Sequence, residues 1–167
     1  MDLLNFDAHP DHTLYFNEEI PPEVESLLQA GADAYPEGGG ELPLLQAYFL
    51  APECLAVLVS LYRYYFYRHQ HERALVVARR ALARTATRLE WPDDWRQLTP
   101  QHLEDRPLPL IRFHLMALKG AAYLQLRLGA IDEARAMLDI LMSLDPHDRL
   151  GAAALDQVAA EHGPSRG

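Results

Sequence analysis

The stretch Leu55–Leu82, LAVLVSLYRYYFYRHQHERALVVARRAL, decides the architecture. It reads as two helices that meet at a short turn near Arg68–His71. Its first half crowds in Tyr62, Tyr64, Tyr65, Phe66 and Tyr67. Successive helical residues are rotated by about 100°, so this block covers most of the helix circumference. One packed face cannot bury all of these rings. Some must meet a second layer of the same protein, or another protein.

Upstream, residues 1–21 contain DAHPDHTLYFNEEIPP and show no helical periodicity, which predicts an extended or irregular arm. Leu14, Tyr15, Phe16 and Ile20 give that arm apolar side chains with which to pack. Pro22 suits the first turn of a helix over Glu23–Tyr35, whose early acids sit at the positive end of the dipole. Val24, Leu27 and Leu28 supply its apolar stripe, and Pro36 to Gly40 ends it as a loop that is flexible by composition. A further helix covers about Pro43–Leu50, and Pro52 is expected to open the next.

Downstream, Ala74, Val77, Ala78, Ala81 and Leu82 line one side of a helix that runs to Glu90. Arg73, Arg80, Arg84 and Arg88 form a ridge elsewhere on it, and Trp91-Pro92 stops it. Residues 91–109 hold both tryptophans and read as an ordered insert, with a short turn capped by Thr99 ahead of Pro100. A long helix follows from Leu110 to Leu128, ended by Gly129. Another spans Ile131–Leu144, and Asp145-Pro146 is expected to start a last one that reaches about Glu161. No alternating strand pattern occurs. The chain is expected to be all-α, with about seven helices in one domain over residues 22–161 and a frayed tail over 162–167.

Charge is segregated along the chain. Residues 1–62 contain eleven Asp or Glu and no Lys or Arg, whereas residues 63–96 hold eight Arg against four acids. The net charge of −9 makes nucleic acid a poor partner, because phosphates require cationic surface. The Arg ridge, Arg80 and Arg84 in particular, is expected first to match the protein's own acids, next to meet an acidic partner protein, and last to contact RNA phosphates. No apolar run reaches the length of a membrane span, and the start lacks a signal-peptide pattern. A single cysteine, Cys54, excludes an intramolecular disulfide and points to a cytoplasmic protein.

Catalytic signatures are missing: there is no GxSxG, phosphate loop or HExxH. The expectation is therefore a non-enzyme with no cofactor. His9 and His12 flank Pro10-Asp11 and are the best candidates for a metal-carrying arm, yet an extended segment does not preorganise ligands. The expected metal-ligand set is accordingly none.

Two segments match each other. Leu58, Leu61, Tyr62, Tyr65, Ala74, Ala78 and Ala81 correspond to Leu118, Ala121, Ala122, Gln125, Ala134, Leu138 and Leu141. This pattern resembles the tetratricopeptide (TPR) helix-turn-helix repeat, in which a small residue opens the second helix so that the pair can approach closely. The insert separates the two hairpins, and His69 stands where the turn glycine belongs. The resemblance implies a concave face with Val59, Arg63, Phe66 and Tyr67 from one hairpin and Met116, Lys119, Tyr123 and Arg127 from the other. Cations beside aromatics suit an acidic or carboxylate-bearing peptide. The arm itself could also occupy that face.

A second resemblance is carried by HPDHTLYFNEEIPP, AYFLAPECLAVLVSLYRYYFYRHQHERAL and FHLMALKGAAYLQLRLG. These look like small accessory proteins encoded with nitrogen-fixation genes, the group of nitrogenase-associated factor T. The resemblance implies a non-catalytic adaptor that binds the molybdenum–iron nitrogenase component during cofactor insertion, maintenance or repair. It implies no catalytic residue. The competing expectations are a general TPR-like peptide-binding chaperone of the secretion type and a metal carrier that uses the N-terminal histidines.

Overall fold

The structure is a computed structural model that describes residues 18–162. Among them are seven α-helices and no strand: α1 (Pro22–Ala34), α2 (Glu41–Leu50), α3 (Leu55–Tyr67), α4 (His71–Leu89), α5 (Leu108–Arg127), α6 (Ile131–Leu144) and α7 (Ala152–His162). The all-α expectation holds. The expected arm falls on residues 1–17, outside the described residues, apart from Glu18 to Pro21, which carry no regular structure. No helix among the described residues is long and apolar enough to cross a membrane. The chain divides into two compact units, and the boundary falls inside α4 between Arg84 and Thr85.

In the N-terminal unit α3 is the interior. Ten of its residues are buried: Leu55 through Val59, Leu61, Tyr62, Tyr64, Tyr65 and Phe66. Tyr62 stacks on Phe66 at 5.6 Å, and Tyr64 meets Tyr35 and Tyr65 edge-on at 6.1 and 5.4 Å. Offset and edge-to-face contacts suit the ring quadrupoles, so the aromatic block is largely satisfied within the protein. Only Tyr67 remains substantially exposed. The helix opens at Leu55 instead of Pro52 for a reason distant in sequence. The Glu18 carboxylate accepts the Leu55 N–H, at 2.8 and 3.0 Å from its two oxygens, and so places an anion on the helix N-terminus. Cys54 precedes this cap and is buried, and desolvation pushes its thiol up to about 11, with Glu18 adding to the rise.

The stretch Pro36 to Gly40 is a defined turn, where a flexible loop was expected. Gly38 N–H donates to Tyr35 O and Gly39 N–H to Ala34 O, both at 3.0 Å. Gly40 sits at φ 111°, and a Cβ there would lie 2.7 Å from the Gly31 carbonyl oxygen. A Cβ on Gly31 would in turn lie 2.8 Å from Leu44 Cδ2. These two glycines let α1 and α2 pack in direct contact.

The turn after α3 and the turn after α5 share one hydrogen-bond pattern. His69 N–H donates to Phe66 O and Gln70 N–H to Tyr65 O; Gly129 N–H donates to Leu126 O and Ala130 N–H to Gln125 O. Both are Schellman closures with a left-handed residue after the helix, His69 at φ 57° and Gly129 at φ 84°. Ala74 and Ala134, the small residues that follow each turn, are both fully buried.

In the C-terminal unit α5 packs on α6 and α6 on α7. Trp91 is buried, donates from Nε1 to the His102 carbonyl at 2.9 Å and meets the His114 ring edge-on at 4.9 Å. The expected turn after Thr99 is present as a 3₁₀ segment, Pro100–Leu103, and the Thr99 N–H donates to His102 Nδ1 at 3.0 Å. Arg96 ties the insert to α6 through Glu133 at 2.7 Å. The last helix starts later than expected, at Ala152. Asp145 accepts from the N–H groups of Arg149 and Leu150 at 3.1 and 2.9 Å, so the segment after it is a side-chain-closed turn.

Candidate protein-docking surface

Helix α2, ELPLLQAYFL, is apolar on nearly every side but buries only Leu44 and Ala47. Phe49 is 85% exposed and Leu42 67%, and Leu45 and Leu50 are exposed beside them. Single exposed apolar residues are ordinary on a protein surface; four on one short helix make a candidate contact face. Leu42, Leu45 and Phe49 recur at helical spacing and share one side, which α1 borders with Leu27 and Glu23. Together with Gln46 and Leu50 they line an open cleft of about 490 Å³. Burying a side chain such as Phe49 or Leu42 is worth about 1.5–3 kcal/mol, so this face has free energy to gain from a partner.

Glu23 is the one charged side chain that lines the cleft. No Lys or Arg precedes Arg63. Of the acids near it, Glu41 is engaged by Arg73 at 3.4 Å and by the Tyr65 hydroxyl, which donates at 3.3 Å. Burial, and after it the Glu41 carboxylate, push the Tyr65 phenol above its usual range. Glu53 pairs with Arg84 at 3.4 Å, and Arg80 lies over the Tyr48 ring at 5.0 Å. Part of the Arg ridge is thus matched by the chain's own acids and aromatics. Glu23 and Glu25, in the first turn of α1, are exposed and sit at the favourable end of the helix dipole.

The residues expected to bind a partner are distributed over both units. In the N-terminal unit Val59 and Phe66 are buried, Arg63 is half-buried and Tyr67 is exposed, its ring edge-on to Phe66 at 5.4 Å. In the C-terminal unit Met116 and Tyr123 are half-buried and Arg127 is exposed. Arg127 donates to the Tyr123 hydroxyl at 3.4 Å. Lys119 is buried and donates to the Leu150 carbonyl; burial lowers its ammonium below the usual lysine range, while Asp148 acts in the opposite direction. Among the described residues no three His, Cys, Asp or Glu side chains converge to hold a metal ion, and His9 and His12 lie outside those residues.

Sequence reasoning did not single out α2. The signal was there: a ten-residue helix with apolar residues all round, bracketed by Gly40 and Pro52, has more apolar surface than two neighbours cover.

No family model and no solved structure matches the chain. An uncharacterized 19.8 kDa protein in the nifW 5′ region of Azotobacter chroococcum mcd 1 is 46% identical over 166 residues, covering 97% of this chain and 90% of that protein.

Proposed function

This chain belongs to the family of the nifW 5′-region protein of Azotobacter chroococcum, and from that premise we propose that it is an accessory protein of nitrogen fixation that works by binding another protein. The observation that carries the reading is the 46% identity, over 97% of the chain, to a protein of the nifW 5′ region. The exposed apolar face of α2 supports binding as the mode of action. The client is the molybdenum–iron component of nitrogenase, as the sequence resemblance implies. The chain performs no chemistry on it. Tighter binding to one client conformation is enough to raise that conformation's population, by an amount set by the difference in affinity.

The two helix pairs α3–α4 and α5–α6 serve as TPR-like hairpins in this proposal. Their matched turns and the fully buried Ala74 and Ala134 support that assignment. The decisive experiment mixes the purified protein with mature and with cofactor-deficient molybdenum–iron protein and follows co-elution on size-exclusion chromatography. Co-elution is expected, and it should be stronger with one form. Absence of a complex with either form ends the reading. Recovery of secretion substrates in place of nitrogenase subunits by affinity capture would favour the peptide-chaperone alternative.

A further inference from the structure

We infer that the α1/α2 cleft receives a basic amphipathic helix of the partner protein. This rests on the reading that the chain acts by binding protein, and it adds which segment is bound and where. The first argument is shape. Leu42, Leu45 and Phe49 line one wall and Leu27 the other, an apolar groove between two helices of the kind that takes the apolar face of an amphipathic helix. Helix α2 has ten residues, about 15 Å at 1.5 Å per residue, so two to three turns of a partner helix fit along it.

The second argument is hydrogen bonding. Beyond their first turns, where Glu23 and Leu42 stand, the walls are helices whose backbone groups bond along the helix, and among the lining side chains only Glu23 and Gln46 are polar. An extended peptide would bring unpaired N–H and C=O groups against an apolar wall, whereas a helix satisfies its own.

The third argument is charge. Glu18 caps α3, Glu41 holds Arg73 and Glu53 holds Arg84. Glu23 is exposed and lines the cleft, no Lys or Arg lines it, and the arginines that reach α2 do so at Glu41 and Tyr48, outside the lining. A partner helix with Lys or Arg on its polar edge is attracted, and an acidic one is repelled.

The test uses the full-length protein and two synthetic amphipathic peptides of about 14 residues, long enough for four helical turns. One has a leucine face and a lysine face; the other has the same leucine face with glutamate in place of lysine. Fluorescence anisotropy should show the lysine peptide binding at least tenfold tighter than its glutamate counterpart, and weakening as salt is raised, because the rim charges are exposed. Phe49→Asp supplies the discriminating control. It makes the protein more acidic, so a merely electrostatic association would strengthen, whereas seating in the cleft predicts at least a tenfold loss at an unchanged melting temperature. Leu45→Asp should act in the same direction, and Glu23→Gln should reduce the salt dependence while leaving the apolar contribution. Equal binding of the two peptides, binding indifferent to Phe49→Asp, or no binding of either peptide would overturn the inference. So would self-association that is lost on Phe49→Asp and excludes peptide, since the occupant would then be a second copy. Because these probes contain no nitrogenase, a failure here is separable from a failure to bind the molybdenum–iron protein.

Discussion

Helices α2 and α3 are neighbours in sequence and in space, and both are apolar on almost every side, yet they meet opposite fates. The longer one is enclosed and its rings find one another; the shorter one buries two residues and presents Phe49 and Leu42 to solvent. Hydrophobicity alone therefore does not say which surface is buried on folding and which is left open. What separates them is coverage. α3 lies within the unit, while α2 is packed by α1 and α3 and left open along its outer side.

The largest expected effect separates the two helices by stability. Tyr62→Ala should cost about 3–5 kcal/mol, because a fully enclosed ring leaves a cavity, whereas Phe49→Ala should stay within about 0.5 kcal/mol. Urea denaturation of the two variants side by side measures both. Comparable losses would collapse the distinction between an interior helix and an open one.

A buried polar group sharpens the contrast from the other unit. His114 is enclosed, shares a 2.7 Å hydrogen bond with Thr85 through Nδ1, and burial lowers its pKa from 6.5 to about 4. Between those values the unfolded chain binds a proton that the folded one refuses, so stability falls as pH falls. The contribution is complete above pH 6.5 and lost on approach to pH 4, amounting to about 3 kcal/mol. Melting followed across that window should steepen for the native protein and flatten for His114→Phe. Phe49 variants should follow the native profile.

The close approach of α1 and α2 sets the third effect. Gly31→Val should cost about 1–3 kcal/mol, since any Cβ there is driven against Leu44. It should also disturb the cleft, so peptide affinity and stability would fall together, unlike in Phe49→Asp. Smallest is His69→Gly, which relieves a left-handed non-glycine residue and should gain up to about 1 kcal/mol. A gain in melting temperature is the expected readout, and a loss would mean that the edge contact of His69 with His71 outweighs the backbone strain.

Much of the scaffold was legible in the residues because its determinants are local. The bounds of α6, the end of α5 at Gly129 and the 3₁₀ turn behind Thr99 follow from periodicity, a left-handed residue and a cap. Even His69, which departs from the expected glycine, adopts the glycine's conformation, because the closure of the turn depends on backbone geometry that a histidine can reach at a cost. The candidate site was less legible. Lys119 looks like a surface cation in a helical pattern, and it is captured by the Leu150 carbonyl, 31 residues away.

By itself, then, the sequence determined an all-helical chain, where most of its helices begin and end, and the separation of acids from arginines. Each of these depends on residues within a turn or two of one another. Only the tertiary structure decided that Glu18 would cap a helix 37 residues on, that α3 would be enclosed, and that α2 would be left open. Burial is a property of whatever comes to lie against a side chain, and segments far apart in the sequence supply that cover.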